Sequence, residues 1–425
     1  MERRAFAHVR PSRGGLARYG STVVDAAVVG GGFAGLALAC GLAREGREAL
    51  VVERQAGTPP FRRAVTLQPN GLAALDRIGA LEEVLRRGVR MERVRFCNSK
   101  GVTRAVWDFS ELPLPHPYLL TIAPGEFQGA LAECLAALGA RPPILGAEFT
   151  GLIRKGAAVS GLRYRQADGT DVEVEAACVV GADGAGSGVR AELGIESREL
   201  GDADPYVLGV GARPATALDD EMVVYCGPGY ADGVVPMSEH AYFWDHVFGE
   251  NRAAVEARDL DGWRDVYARR VPVGRDVAAP LDRFDNLIRL DVRVRRSRRR
   301  SAAGAALIGD AAGTVHPHSA QGANLALEEA VTLADVLAQR SAHAGHVTED
   351  ELAHWTRRRD RRLAGWQALS LWFAHSFDAP NAFWRATRAT SFGWARVTPV
   401  HRRLFRLSAR APVIGYQNGS SGRHQ

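Results

Sequence analysis

The sequence predicts a mixed α/β fold with a helical C-terminal region, and three observations support this. Residues 23–52 read as strand, glycine turn, helix and strand, and the first strand is a continuous apolar run, as expected where helices cover both faces of a parallel sheet. Residues 200–290 are strand-like and rich in aromatic side chains, which favours a second sheet. Apolar residues recur at helical spacing from about Ala323 and again from Glu351 to Leu407.

Four further segments lie between the first strand pair and the second sheet. Their patterns predict, in chain order, a helix broken at Gly79, a hairpin that turns at Ser99-Lys100-Gly101, a helix opened by Pro124, and a β-meander from Ala147 to Val180 that turns at Asp168-Gly169. The meander ends in an apolar strand, so we expect it to join the buried sheet.

Composition limits the class of protein. With 46% hydrophobic and 24% charged residues the chain is of ordinary globular type, and it has no apolar run long enough to span a bilayer. Its net charge of +6 comes from arginine, because Lys100 and Lys155 are the only lysines. We predict no nucleic-acid partner and no metal site. Five scattered cysteines without a C-x-x-C pair indicate a reduced, cytoplasmic compartment: Cys40, Cys97, Cys134, Cys178 and Cys226. Residues 1–21 lack the apolar stretch of a secretion signal, and we interpret them as a disordered basic tail.

A glycine motif follows the first strand. Gly30-Gly31-Gly32-Phe33-Ala34-Gly35 fits G-x-G-x-x-G, in which a tight turn, a close approach to a pyrophosphate and close helix packing each require a residue without a side chain. Glu53 ends the next strand and is placed to accept a hydrogen bond from a ribose 2′-hydroxyl. The combination predicts a Rossmann-like unit for FAD or NAD, and a glycine turn in an empty βαβ unit is the alternative.

Two more motifs follow in order. One is VVGADGAGSGVR, from Val179 to Arg190; in the other a strand delivers Asp310, and TVHPHSAQGAN leads into a long helix. Together the three motifs resemble the class A FAD-dependent aromatic monooxygenases, the para-hydroxybenzoate hydroxylase family, over roughly residues 22–340. The TVHP segment and the C-terminal pattern are more weakly similar to the ubiquinone-biosynthesis hydroxylases.

The resemblance implies an α/β fold in which a Rossmann-like FAD-binding domain is interleaved with a β-sheet substrate domain. The FAD-binding domain would comprise residues 22–87, 118–199 and 291–340, the substrate domain residues 88–117 and 200–290, and the C-terminal helices residues 341–425.

The resemblance also implies cofactor contacts. Glu53, with Arg54 beside it, would hold the adenosine ribose of FAD, and Arg63 would lie near the pyrophosphate. Reduced flavin carries negative charge, which the backbone N–H groups and dipole at the start of the last helix would favour. The remaining contacts would come from Asp183, Gly184, Gly309, Asp310, Pro317, Gly322, Ala323 and Asn324.

Catalytic side chains are expected in the turn around Pro317, which would stiffen the approach to the flavin ring. Either His316 or His318 would assist deprotonation of a phenolic substrate, because a near-neutral imidazole suits that task. A turn histidine that only bonds backbone is the alternative. The chain departs from the family at Gly313, where many members have histidine, and at Pro124, where a polar residue is usual.

The resemblance implies a single-chain monooxygenase. NAD(P)H would reduce FAD, O₂ would add to it, and the flavin hydroperoxide would pass oxygen to an aromatic or prenylated small molecule; a homodimer is possible in this family. An isoprenoid double-bond reductase and a flavin-retaining protein without turnover are the alternatives. The arginine run from Arg293 to Arg300 is interpreted as a solvated loop before a buried strand; NADPH phosphates, a carrier protein or a membrane surface are the alternative partners. The C-terminal aromatics would pack in a core or line a substrate pocket.

Overall fold

The fold is described by a computed structural model over residues 17–18, 23–57, 63–202, 204–214, 220–341, 344–378 and 381–395. Most of the predicted basic tail lies outside these residues, apart from the short strand β1 (Ala17–Arg18). The part of the predicted helical tail beyond residue 395 also lies outside them. Within the described ranges, no helix is both long and apolar enough to cross a membrane.

The first sheet has nine strands among the described residues and contains the predicted βαβ unit. Strand β2 is buried along its length between parallel neighbours β3 and β12, which confirms the prediction from its continuous apolar run. The meander β10–β12 is antiparallel, and β12 is long enough to enter the parallel part, where it also pairs with β21. After β1, the strands are β2 (Val24–Val29), β3 (Ala49–Glu53), β9 (Ile144–Leu145), β10 (Glu148–Lys155), β11 (Ala158–Arg165), β12 (Asp171–Gly181), β20 (Ser301–Ala302) and β21 (Ala305–Leu307).

Helices cover one face of this sheet and build the largest core cluster. The other face is covered mainly by the meander strands, with only the short helix α5 (Gly188–Glu192) beside them, so the expected helical cover of both faces is found only in part. The α1 and α9 helices pack together, and their small residues allow the close approach. The helices of this region are α1 (Phe33–Arg44), α2 (Pro69–Ile78), α3 (Leu81–Arg87), α4 (Pro124–Ala137), α5 (Gly188–Glu192) and α9 (Gly322–Ala338). A small sheet of β4 (Val65–Leu67), β5 (Val89–Met91) and β8 (Leu119–Ile122) lies beside them.

The second sheet has seven strands in the described part of the chain, in the order β18-β14-β17-β16-β15-β6-β7. It joins the predicted hairpin to the aromatic-rich region. Its strands are β6 (Arg93–Asn98), β7 (Thr103–Asp108), β14 (Tyr206–Ala212), β15 (Glu221–Gly227), β16 (Tyr230–Pro236), β17 (His240–His246) and β18 (Ile288–Leu290).

Three helices within residues 200–290 were not anticipated by the strand-like reading. They are α6 (Glu250–Ala257), α7 (Leu260–Arg270) and α8 (Gly274–Ala278). Trp263 and Tyr267 lie one turn apart on α7 and are fully buried against the outer face of the second sheet. The helical spacing of these two aromatics and the N-cap residue Asp259 indicate a helix here. The aromatic-rich composition alone suggested a strand.

The arginine run does not form the expected solvated loop. Arg293–Ser297 is strand β19, paired antiparallel with β13 (Ser197–Asp202). Glu199 bonds both Arg293 and Arg295, and Arg300 is fully buried in an ion pair. Glu199, Glu329 and Asp360, which pair with arginines of this run, lie far from it in sequence. The charge run by itself therefore gave no sign of these pairs and suggested a solvated loop.

The C-terminal helices α10 (Glu349–Asp378) and α11 (Ala382–Ala395) complete the described fold. Helix α10 contacts α9 at the first sheet as well as β15 and β16 of the second. Its 30 residues therefore connect the two sheets.

Candidate active site

A cavity of about 2050 Å³ lies where the two sheets and α10 meet. Most of the sequence-predicted site residues line it. They are Gly32, Phe33, Ala34, Arg63, Gly184, Gly309, Asp310, Pro317, His318, Gly322 and Ala323.

The glycine motif has the geometry that its sequence predicts. Gly30 has φ +110°, and a Cβ there would lie 2.4 Å from the carbonyl oxygen of Ala182. A Cβ on Gly35 would lie 2.0 Å from the oxygen of Gly30, so helix and turn pack without room for a side chain. At Gly32 a Cβ would meet no protein atom within 4 Å, so the N-terminus of α1 faces the cavity.

Glu53 ends β3 and Asp310 follows β21, two strands of the first sheet that are separated by β2 and β12. Glu53 accepts the N–H of Gly31 at 2.7 Å, which ties the acid to the glycine turn. Asp310 lines the cavity, and desolvation by the surrounding protein raises the pKa of its carboxyl while Arg63 opposes this. Asp183 accepts the N–H of Val189, and Gly184 beside it has φ +81° at the cavity wall.

The turn before α9 is held by amide side chains. Asn324 is fully buried and does not line the cavity; its Oδ1 accepts the N–H of Gln68 at 2.9 Å, and its Nδ2 donates to Ala320 at 2.7 Å. Gln321 donates to the side chain of Gln68 at 2.6 Å. These bonds leave Gly322, where a Cβ would meet no atom within 4 Å, open to the cavity at the helix N-terminus.

The two histidines of the turn occupy different positions. His316 is fully buried outside the cavity lining; its Nδ1 accepts the backbone N–H of His318, and burial lowers the pKa of its imidazole to about 3. His318 lines the cavity, and its Nε2 lies 2.9 Å from both the Tyr206 hydroxyl and Asp378 Oδ1. The reading as a backbone-bonding turn histidine therefore fits His316.

Aromatic side chains also line the cavity and are called the aromatic wall below. Alternating side chains of the second sheet provide one part, and the aromatics of α10 provide the other, so these α10 residues both pack and line the cavity. The wall includes Phe96, Trp107, Tyr206, Tyr242, Trp244, Trp355, Trp366, Trp372, Phe373 and Phe377.

Two departures from the family have local explanations. A Cβ on Gly313 would lie 2.7 Å from Leu363 and 2.9 Å from the Arg295 oxygen, so α10 occupies the space that a larger side chain would need. Pro124 opens α4 at the cavity, and one turn later Gln128 lines it and donates to the oxygen of Gly31 at 3.4 Å. Arg54 lies away from the main cavity, at a shallow surface site with Arg165.

These residues fit FAD. Gly32, Gly184 and Gly322 present backbone to open space, as required for a flat ring and a pyrophosphate that approach closely. Two helix N-termini and Arg63 supply positive potential for anionic groups. No role was predicted from the sequence for Tyr206, Asp378, Gln68, Gln321 or Gln128. Gln321 lies inside the TVHPHSAQGAN motif, whereas no motif marks Tyr206 or Asp378.

Comparisons with known proteins agree with this geometry. Residues 23–370 match the family model described as FAD binding domain. The chain is 34% identical over 328 residues to the 6-methylpretetramide 4-monooxygenase of Streptomyces rimosus, covering 74% of this chain and 75% of that one. It is 30% identical over 334 residues to the 12-dehydrotetracycline 5-monooxygenase/anhydrotetracycline 6-monooxygenase of Streptomyces rimosus subsp. rimosus, covering 73% of this chain but 61% of that relative. The chain thus spans less than two thirds of the second relative.

The fold is also that of a solved structure. The p-nitrophenol 4-monooxygenase from Pseudomonas putida superposes with a TM-score of 0.79 over 92% of this chain and 98% of the other, at 21% identity. Because the family model matches residues 23–370 and a relative is 34% identical over three quarters of its length, the chain belongs to the FAD binding domain family. Within it, the protein is a class A FAD-dependent aromatic monooxygenase, with FAD as cofactor and NAD(P)H as the co-substrate typical of the family. The sequence-based predictions of fold, cofactor and enzyme class are confirmed.

Proposed function

We propose that this monooxygenase hydroxylates a polycyclic aromatic phenol of specialised metabolism, with O₂ as the oxygen donor, in the cytoplasm. The main observation behind this proposal is that the open glycine turns and the aromatic wall line the same cavity. Two relatives are named for 6-methylpretetramide and for tetracycline-type substrates. A flat aromatic ring system suits the wall because ring faces stack on aromatic side chains and displace water.

The sequence-predicted contacts remain our assignment for FAD. The Gly30 to Gly35 turn and Arg63 would face the pyrophosphate, Glu53 the adenosine ribose, Gly309 and Asp310 the ribityl chain, and Gly322 the ring edge. Asn324 would not contact FAD directly but would hold the backbone of the turn before α9 in place. Gln128 would provide the polar contact to FAD that Pro124 cannot make. We assign the first sheet to the cofactor domain and the second to the substrate domain.

The chain's own part in the reaction is to enclose, orient and move a proton. When bound, FAD supplies the redox and oxygen-transfer chemistry. The second sheet and α10 cover the cavity, and keeping water away from a bound flavin would protect reactive groups from hydrolysis. Hydroxylation ortho or para to a phenol is faster from the phenolate, because the ionised oxygen enriches those carbons in electrons. His318 lines the cavity and is our candidate for the base, with Pro317 stiffening its turn.

The test is to purify the yellow protein and follow NAD(P)H oxidation under air with one-ring and three- or four-ring phenols. Substrate-stimulated oxidation by the larger phenols, with one atom of ¹⁸O₂ in the product, supports the proposal. Stimulation by one-ring phenols alone contradicts the assigned substrate class. Double-bond reduction without oxygen uptake supports the reductase alternative, and a flavin that neither nucleotide reduces supports a protein without turnover.

A further inference from the structure

A group of three polar side chains lies at one end of the cavity. His318 comes from the turn before α9, Tyr206 from the start of β14 and Asp378 from the end of α10. Asp378 is 60 residues from His318 and 172 from Tyr206, so the tertiary fold alone brings them together. His318 and Tyr206 line the cavity, and Asp378 lies behind them.

The distances within the group determine which ring nitrogen of His318 carries the proton. Burial by itself would raise the pKa of Asp378, but His318, His246 and the Tyr206 hydroxyl outweigh it and hold that pKa below its usual value. Asp378 is therefore an ionised, acceptor-only group at neutral pH. The Tyr206 hydroxyl donates its single proton to Asp378 Oδ2 at 2.8 Å.

His318 Nε2 then has two acceptors and no available donor. It lies 2.9 Å from Asp378 Oδ1 and 2.9 Å from the Tyr206 oxygen, whose proton is already used. An unprotonated Nε2 would place lone pairs against lone pairs at both contacts. Nε2 must therefore carry the hydrogen, and in the neutral ring Nδ1 is the basic atom. No described residue hydrogen-bonds to Nδ1.

We infer that Asp378 and Tyr206 are positioning residues that fix His318 in the Nε2–H tautomer, so that Nδ1 accepts the proton of a substrate phenol. The inference rests on the proposed function, since it requires a phenol in the cavity. In the step, the substrate O–H bond breaks, an N–H bond forms at Nδ1, and the imidazolium is stabilised by the Asp378 carboxylate. No electron is transferred.

Other charged groups around Asp378 fit this role. From β17, His246 Nδ1 lies 3.7 Å from Asp378 Oδ1 and donates to the oxygen of Gly229 at 2.8 Å. Asp204 lies 3.6 Å from the other nitrogen of His246 and, with Asp378, contributes to a raised His246 pKa in spite of burial. The buried Asp232 of β16 also interacts with Asp378, since the Asp378 carboxylate contributes to the raised pKa of Asp232. His246 thus adds positive potential that favours ionised Asp378.

The experiment measures the ionisation of a bound phenol directly. The probe is 1,2-dihydroxyanthraquinone, a three-ring phenol whose absorption moves to longer wavelength on ionisation, added to the FAD-loaded protein from pH 5.5 to 9. We expect the bound probe to ionise at a lower pH than the free probe. His318→Gln should return the midpoint to that of the free probe.

The variant Asp378→Asn distinguishes a role of Asp378 in orienting His318 from a role in the stability of the fold. An asparagine amide can donate to Nε2 and so favour the opposite tautomer, with the proton on Nδ1. In wild type the midpoint of the bound probe differs from that of the free probe. In Asp378→Asn we expect at least half of this difference to be lost. Asp378→Glu should recover part of it, and Tyr206→Phe should lose less of it than Asp378→Asn. Flavin content and thermal stability show whether an Asp378 variant is misfolded. If it is, the midpoints of His318→Gln and Tyr206→Phe test the inference instead.

Matched controls lie on the same helix. Asp350→Asn and His375→Gln change exposed α10 residues outside the cavity lining and should leave the midpoint unchanged. If the probe binds but ionises alike in wild type, Asp378→Asn and His318→Gln, this inference is wrong and the proposed function stands. If the probe does not bind the flavin-loaded protein at all, the proposed polycyclic-phenol function fails and the inference fails with it.

Discussion

Arg300 and Glu329 form a buried ion pair with Nη1 and Oε1 2.7 Å apart, and their side chains are 1% and 3% exposed. The other carboxylate oxygen of Glu329 accepts the N–H of Gly309 at 2.8 Å, and Arg300 Nε donates to Asp360 of α10 at 2.7 Å. One arginine thus connects α9, α10 and the turn that presents Asp310 to the cavity.

Removing the arginine should destabilise the protein strongly. In Arg300→Met, Glu329 keeps its buried charge without a counterion, and breaking such a pair costs about 3–5 kcal/mol. We expect a lower midpoint of chemical denaturation and weaker FAD retention, because Glu329, which accepts the N–H of Gly309, loses the partner that holds its carboxylate in place. Arg298→Met is the control, since its pair with Glu196 is exposed, and it should behave as wild type. Equal stability of the two variants would rule out this role for the pair.

A methyl group on Gly32 should separate folding from cofactor binding. A Cβ there meets no protein atom within 4 Å, so the apoprotein of Gly32→Ala should fold with nearly unchanged stability. The methyl would occupy the space that we assign to the FAD pyrophosphate, and we expect at least a tenfold weaker FAD affinity, a difference of about 1.4 kcal/mol. Fluorescence titration of apoprotein with FAD measures it. Gly57→Ala, which also points into open space but lies outside the cavity lining, is the matched control, and an equal loss in both variants contradicts the assignment.

Local patterns predicted where the glycine turn and the acids at the strand ends lie, whereas they did not predict the contacts of Tyr206 and Asp378. The Gly30 turn, Glu53 and Asp310 are recognisable because each chemical role requires a residue type at a fixed distance from a strand end. The Tyr206–Asp378 contact joins residues 172 apart, and no spacing rule encodes such a contact. His316 and His318 look equivalent in sequence, and packing alone buries the first and leaves the second at the cavity.

Burial of His316 should make the protein less stable in mild acid. The imidazole pKa is lowered to about 3 by burial, whereas an unfolded histidine titrates near 6.5. Below pH 6.5 the unfolded chain binds a proton that the native state does not, so the free energy of unfolding falls with decreasing pH, by up to ~1.4 kcal/mol per pH unit from this residue. The loss continues down to about pH 3.

The variant His316→Asn tests this dependence, because an amide oxygen can still accept the N–H of His318. We expect the variant to be less stable than wild type at pH 7.5 but to lose less stability between pH 7.5 and 5.5. Denaturant midpoints at three pH values give the slopes. His346→Asn, which replaces an exposed histidine, should keep the wild-type slope. A slope in His316→Asn as steep as in wild type would mean that other groups cause the acid sensitivity.

Trp372 offers a test of substrate size, because it lines the cavity and yet is 40% exposed at the solvent side of α10. Its ring packs on Phe373 with centroids 5.4 Å apart, and it extends the aromatic wall outward. A three- or four-ring phenol is long enough to use this surface, whereas a one-ring phenol is not. Trp372→Ala should therefore raise the KM for the larger phenols roughly tenfold, from the loss of ~1–1.5 kcal/mol of stacking and apolar contact, and leave the one-ring KM unchanged.

The same variant should keep its kcat and its stability, since Trp372 is 40% exposed and is not among the residues that contact His318. Phe383→Ala is the matched control: Phe383 is 70% exposed on α11 and does not line the cavity, so its loss should change neither KM. Steady-state kinetics with both phenol sizes gives the comparison. An equal rise in KM for small and large phenols in Trp372→Ala would show that the outer part of the aromatic wall does not discriminate between phenols by their number of rings. The substrate would then be confined to the inner part of the cavity.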